Sequence, residues 1–147
     1  MISISRADPH HFVALLEASD RYMASLYPAE SNHMLDVNTL CQPQMHFFGA
    51  FIDGAAKGCG GFWAHQDYVE IKRVFIEPSA RGVGLSKALM QVLEDEARAL
   101  GFRIARLETG IHQPEALRLY EKLGYKYREP FGDYLLDPLS MFMEKLL

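Results

Sequence analysis

The chain predicts an α/β fold of the α+β kind: a mixed β-sheet of about seven strands flanked by about four helices. Three observations lead there. Apolar residues alternate in several short runs, as they do in half-buried strands. Two of those runs, HFFGAFID and KGCGGFWAHQ, meet at Asp53-Gly54, a hairpin signal. From Leu85 the apolar period lengthens to that of an amphipathic helix. Strand runs on both sides of helical stretches predict a sheet with helices on its faces.

The elements follow in order. MISISRA alternates and reads as a first strand. Asp8-Pro9 has the form of an N-cap followed by proline at the first helical position, and Phe12, Leu15, Leu16 and Ser19 continue along one helix face. YPAESNHML interrupts that pattern and joins two short helices. The hairpin comes next, with Phe62 and Trp63 assigned to the core. YVEIKRVFIE is a long, only partly alternating run, as expected of a central strand. The helix from Leu85 places Leu89, Val92, Ala97 and Leu100 on its apolar side and leaves Lys87, Glu94, Asp95 and Arg98 to solvent, with Gly101 as its stop. FRIARLET is a strand, and QPEALRLYEKLG is a short helix bounded by Pro114 and Gly124. YKYREPF and SMFMEKLL read as the last two strands.

Composition narrows the function classes. With 147 residues, 49% apolar and 23% charged, the chain predicts one domain, 1–147, with a real core. A net charge of −4 argues against nucleic acid held by bulk electrostatics. The opening MISISRADPHHF lacks the basic flank and apolar core of a signal peptide, and no run reaches the roughly 18 apolar residues of a membrane span. The expectation is a cytoplasmic protein with no membrane partner. Cys41 and Cys59 are too few for a disulfide framework, and the six histidines show no metal-ligand spacing, so no metal is expected.

The segment with most chemical content is RVFIEPSARGVGLSKALM, Arg73 to Met90. A strand reaches a proline, Gly82 and Gly84 follow, and a long helix begins. The first turn of a helix carries N–H groups without intrahelical partners and about half a positive charge. Glycines let an anion approach that backbone closely, and Arg81 and Lys87 add positive charge. The pattern is neither a P-loop nor a dinucleotide fingerprint, because Lys87 stands where the third glycine would be. A phosphate socket and a plain turn both fit these residues.

Arg81-Gly82-Val83-Gly84-Leu85-Ser86 resembles the Arg/Gln-x-x-Gly-x-Gly/Ala acetyl-CoA signature of the GCN5-related N-acetyltransferases, with Ser86 at the last small position. A second motif of that family, Asn-x-x-Ala-x-x-Leu-Tyr-x-x-x-Gly-Phe, is matched by Gln113 to Tyr125, with Gln113 in place of Asn and Tyr125 in place of Phe. The tail FGDYLLDPLSMFMEK resembles a subgroup of small bacterial members. The resemblance implies a sheet splayed after its fourth strand and acetyl-CoA as cosubstrate. The pantetheine arm would lie along Val74, Phe75 and Ile76. The pyrophosphate would sit on the amides of Gly82, Val83, Gly84, Leu85, Ser86 and Lys87, with Arg81 and Gln113 beside the cofactor. It further implies Glu70 as general base, directly or through water, and Tyr120 as hydrogen-bond donor or acid toward the leaving thiolate.

The acceptor side is assigned from the elements that usually shape the pocket in this family. Glu30, Ser31 and His33 lie in the segment joining the first helices, Lys72 and Arg73 could meet a substrate carboxylate, and Asp133 and Tyr134 sit in a long connection near the end. The expected reaction is transfer to a primary amine of a small molecule, of amino-acid or polyamine type, by direct attack in a ternary complex. Cys41 and Cys59 match no nucleophile position. A protein lysine or N-terminus remains an alternative acceptor, and a non-catalytic acyl-CoA sensor remains an alternative function. Homodimers are common in the family.

Overall fold

The structure, a computed structural model, describes residues 1–31 and 36–147. Seven strands form one sheet: β1 (Ile2–Arg6), β2 (Met45–Ile52), β3 (Ala55–Ala64), β4 (Val69–Ile76), β5 (Ile104–Gly110), β6 (Lys126–Arg128) and β7 (Ser140–Leu146). Their spatial order is β1-β2-β3-β4-β5-β7-β6. Among the described residues four α-helices accompany them: α1 (Val13–Leu26), α2 (Val37–Leu40), α3 (Leu85–Ala99) and α4 (Pro114–Lys122). The β2–β3 hairpin turns at Asp53 and Gly54, both at positive φ, the conformation that Asp-Gly favours. The single turn of α2 is N-capped by Asp36, whose carboxylate accepts from Thr39 N–H at 2.8 Å.

Every pairing is antiparallel except β4 with β5. That parallel pairing is short. Val69, Ile71 and the residue between them meet Ala105–Leu107, and there the ladder stops, whereas β5 continues against β7 as far as Gly110. The C-terminal halves of β4 and β5 therefore diverge, and the sheet is splayed at its centre. A bulge accompanies the divergence. The β3–β4 register shifts between Cys59 and Gly61, so Gly60 faces both Arg73 and Val74. Arg73 has φ of 60°, a left-handed conformation that costs a non-glycine residue on the order of 1–2 kcal/mol. Its side chain is buried and held by α1: the guanidinium bonds Asp20 at 2.6 Å and the Leu16 carbonyl at 3.3 Å. Arg73 thus anchors the bulge to α1.

Helices cover both faces. Leu85, Leu89, Met90, Leu93 and Ala97 of α3 pack on Phe48, Ala50, Phe62, Val69, Ile71, Leu107 and Met143. Phe12, Leu16 and Leu40 pack on Phe47, Met45 and Cys59 from the other side. Adjacent Phe47 and Phe48 serve opposite cores, as strand alternation requires. Each such apolar side chain contributes roughly 1.5–3 kcal/mol by burial.

Glu94 departs from the solvent-facing position that helical spacing assigns to it. It is 2% exposed and accepts from the Tyr125 hydroxyl at 3.0 Å and the Lys145 ammonium at 2.7 Å. Tyr125, just before β6, and Lys145 of β7 are the partners, which period alone cannot reveal. Burial, with the Glu94 carboxylate beside it, pushes the Tyr125 phenol up. Gly61 marks a close approach of another kind: a Cβ there would lie 2.2 Å from the His46 carbonyl oxygen. Gly61→Ala should therefore cost about 2 kcal/mol, read as a lowered urea midpoint with an unchanged slope.

Candidate active site

The exit of β4 builds the first half of the site. Glu77 and the turn Pro78–Ala80 lead into Arg81, and α3 starts at Leu85 with Gly84 as its N-cap. Gly82 and Gly84 have φ of 86° and 84°, and a Cβ at either would meet nothing within 4 Å. The glycines are required by the backbone, and the space before them is open. Gly84 supplies no side-chain cap, so the amides of the first turn of α3 remain available to a ligand. Arg81 closes the corner: its Nε donates to the Ile76 carbonyl at 3.1 Å, and its guanidinium lies over the rings of Tyr22 and Phe75.

In front of this corner is a cavity of about 510 Å³. Val74, Phe75 and Ile76 wall it along β4, Arg81, Gly82, Gly84, Leu85, Ser86 and Lys87 close one end, and Gln113 and Tyr120 border the other. Val83 is 56% exposed and stands outside the lining. A second cavity, of about 90 Å³, lies in the mouth of the splay between β4 and β5. Both cavities are bordered by Ser19, Met23, Val74, Gln113 and Tyr120, so they meet at those residues.

Tyr120 sits at the junction because α4 carries it there. Pro114 starts α4 immediately after Gln113, whose Oε1 accepts from Gly110 N–H and the Tyr27 hydroxyl, each at 3.3 Å. Gln113 thereby ties the end of β5 to the residue after α1. The Tyr120 ring is buried, and its hydroxyl has no hydrogen-bond partner among the described residues. Burial pushes its pKa up to about 12, so it is a neutral donor facing both cavities at ordinary pH.

The other candidate residues divide. Glu70 lines neither cavity. It is buried behind Lys72, accepting from the Tyr134 hydroxyl at 2.5 Å and the Lys72 ammonium at 3.4 Å, with His65 Nε2 at 3.0 Å. Lys72 does line the smaller cavity, and its ammonium also donates to Tyr134 at 2.8 Å. Ser31 lines it and donates to Asp137 at 2.7 Å. Glu30 and Asp133 are exposed and border neither cavity, which removes them from direct reach of a ligand there. His33 falls outside the described residues. Sequence reasoning missed Glu108, Thr109 and Ser140, which line the smaller cavity, with Ser140 donating to Glu108 at 2.8 Å. Glu108 lies on β5, and its exposure to a cavity follows from the splay, for which the local pattern RLET carries no signal.

Residues 12–125 match the model of the acetyltransferase (GNAT) family. The chain belongs to that family. Over 150 aligned residues it is 45% identical to an IAA acetyltransferase of Azospirillum brasilense, with 99% of this chain and 98% of the relative covered. It is 33% identical to YsnE of Bacillus subtilis, an uncharacterized N-acetyltransferase, with 99% of each covered. Among solved structures, a protein from Klebsiella pneumoniae described as an acyl-CoA N-acyltransferase superposes with a TM-score of 0.85 at 36% identity, covering 100% of this chain and 98% of that one.

The GNAT chain is thus an acetyl-CoA-dependent N-acetyltransferase, and its larger cavity fits that donor. It combines a strand edge bared by the splay, a cradle of unpaired amides and two cationic side chains. No helix of the described residues is long and apolar enough to cross a membrane. Asp8, His10 and Cys41 hold potential metal-ligand atoms within 4.8 Å of one another at the surface, and none of the three borders either cavity.

The cysteines of this GNAT enzyme stand apart from the site as well. Cys59 is fully buried, which pushes its thiol up to about 12, and Cys41 is exposed. Iodoacetamide near neutral pH should add one carbamidomethyl group, at Cys41, to the native protein and a second only after denaturation, as read by intact mass. Cys41→Ser should retain full turnover.

Proposed function

We propose that this GNAT enzyme transfers the acetyl group of acetyl-CoA to the primary amine of a small molecule, by direct attack while both are bound. One observation supports this reading above the rest: two cavities of unequal size meet at Tyr120 and Val74, the larger lined by the amide cradle and the smaller by Glu108, Lys72, Ser31 and Ser140. A volume of about 90 Å³ suits a compact acceptor.

Bound acetyl-CoA supplies an activated thioester. Val74, Phe75 and Ile76 hold its pantetheine arm along the bared edge of β4. The amides of Gly82 through Lys87, with Arg81 and Lys87, hold its pyrophosphate. Glu108 draws the acceptor's ammonium into the smaller cavity. An amine with a lysine-like pKa costs about 4.6 kcal/mol to deprotonate at pH 7, so a proton acceptor must be within reach. Glu70 supplies that basicity at one remove, through Lys72 and Tyr134. Tyr120 donates a hydrogen bond to the departing sulfur as it gains charge. Holding both reactants together replaces a bimolecular encounter with an oriented one.

Thiol release from acetyl-CoA across a panel of amino acids, polyamines, IAA and a lysine-bearing peptide tests the proposal. Saturable release with a small amine is expected. Release with the peptide alone would favour a protein acceptor, and tight CoA binding with no release on any compound would favour a sensor.

A further inference from the structure

His65, Glu70, Tyr134 and Lys72 form an unbroken line of hydrogen bonds from solvent to the wall of the smaller cavity. The contacts are His65 Nε2 to Glu70 Oε1 at 3.0 Å, Tyr134 hydroxyl to Glu70 Oε2 at 2.5 Å, and Lys72 Nζ to Tyr134 hydroxyl at 2.8 Å. The side chain of His65 is 35% exposed, those of Glu70 and Lys72 only 8% and 11%. The line crosses three parts of the fold: the β3–β4 turn, β4, and the connection before β7. Nothing local in the sequence links those parts, and packing them together costs the burial of several charges. Such a network persists only if its members satisfy one another.

We infer that this line is the proton exit of the transferase, with His65 as its solvent-side terminus. The inference rests on the acetyl-transfer reading above, because it carries away the proton that an acceptor ammonium must lose. The steps balance without a further reactant. Lys72 gives a proton to the Tyr134 oxygen as the Tyr134 hydroxyl proton passes to Glu70. Glu70 passes it to His65 Nε2 of the Nδ1–H tautomer, His65 releases its Nδ1 proton to water, and proton exchange with water restores the Nδ1–H tautomer before the next turnover. Neutral Lys72 then accepts the proton of the acceptor ammonium, leaving a free amine beside the thioester. No bond to carbon changes in these steps, and each transfer runs along a contact already made.

The ring of His65 is oriented for this task. It stacks on Tyr68 with centroids 4.5 Å apart, and its backbone N–H donates to the Tyr68 carbonyl at 2.9 Å. Glu70 of β4 contacts it directly, and the Tyr68 ring on which it stacks carries Arg106 of β5, whose guanidinium lies 4.3 Å from the ring centre. His65, Tyr134 and Glu70 touch no bound reactant and are positioning residues in this scheme.

The test compares kcat of the full chain for His65→Gly and Tyr134→Phe, with acetyl-CoA saturating and with putrescine, glycine or n-propylamine as acceptor, whichever the wild type turns over fastest. The expected result for His65→Gly is a loss of about tenfold in kcat, an unchanged KM for acetyl-CoA, and recovery when imidazole is added. Tyr134→Phe, which leaves only the longer 3.4 Å contact between Lys72 and Glu70, should lose activity that imidazole does not restore. If His65→Gly does not fold, His65→Gln takes its place, and its kcat should rise with the concentration of an imidazole buffer. A His65 variant within twofold of wild type, or a loss that imidazole leaves untouched, overturns the relay while the acetyl-transfer reading stands. Wild type that releases no thiol with any amine overturns both.

Discussion

Replacing Tyr120 by phenylalanine should lower kcat by about two orders of magnitude and leave the affinity for acetyl-CoA within about twofold. The hydroxyl lies where the two cavities meet and has no partner among the described residues, so its removal orphans no protein group. The ring, which packs edge-on against Tyr125 at 5.8 Å between centroids, is retained in phenylalanine. Stability is therefore nearly unchanged, and the loss falls on the step in which sulfur gains charge. The size of the pKa shift distinguishes two roles for this residue. A phenol pushed up to about 12 lies some way above a reference thiol near 8.5, so complete proton transfer is uphill by roughly 5 kcal/mol. In the proposed reaction Tyr120 therefore serves as a hydrogen-bond donor to the thiolate, and the thiolate takes its proton later, from water. Steady-state kinetics with acetyl-CoA saturating, paired with a direct CoA titration, reads both quantities. Unchanged turnover would remove Tyr120 from the reaction.

Gly84→Asp should weaken acetyl-CoA binding by about a hundredfold or more while leaving the protein folded. Position 84 has φ of 84°, and among side-chain-bearing residues Asp and Asn tolerate such a backbone best. A Cβ there meets nothing within 4 Å, so the added atoms clash with no protein group. The carboxylate instead enters the space before the first amides of α3, where it caps the helix and repels a pyrophosphate. Thermal unfolding of the free variant should change by only a few degrees, and isothermal titration with CoA should show the loss. Gly84→Asn is the matched control: it carries the same backbone strain without the charge, and should lose distinctly less affinity. Equal losses in the two variants would assign the effect to shape and not to charge.

The local structure at these two positions was legible in the sequence for the same reason. The cradle is a run of consecutive residues whose properties are local: positive φ at glycine, amides freed by a helix start, and flanking cations. Tyr120 is placed by a short helix whose start, Pro114, and stop, Gly124, are written beside it. The substrate side was less legible. Ser31 and Lys72 do border the smaller cavity, while Glu30 and Asp133 are exposed beyond it. A polar residue in a joining segment or a late loop is equally well explained by solvent, and only the path of the chain decides. Glu108 and Ser140 were missed because they read as ordinary strand residues of β5 and β7 until the sheet opens beside them.

Periodicity, turn chemistry and two contiguous motifs were enough to specify the element order and the family, because each depends on residues within a few positions of one another. The tertiary structure decided where β4 and β5 part, that Glu94 is buried, and that Glu70 stands behind Lys72 instead of on the cavity wall. Those outcomes depend on partners far apart in the chain, such as Tyr134 and Glu70, separated by 64 positions. No local pattern encodes such a contact. It exists because packing both faces of a splayed sheet leaves one arrangement in which the buried charges reach one another.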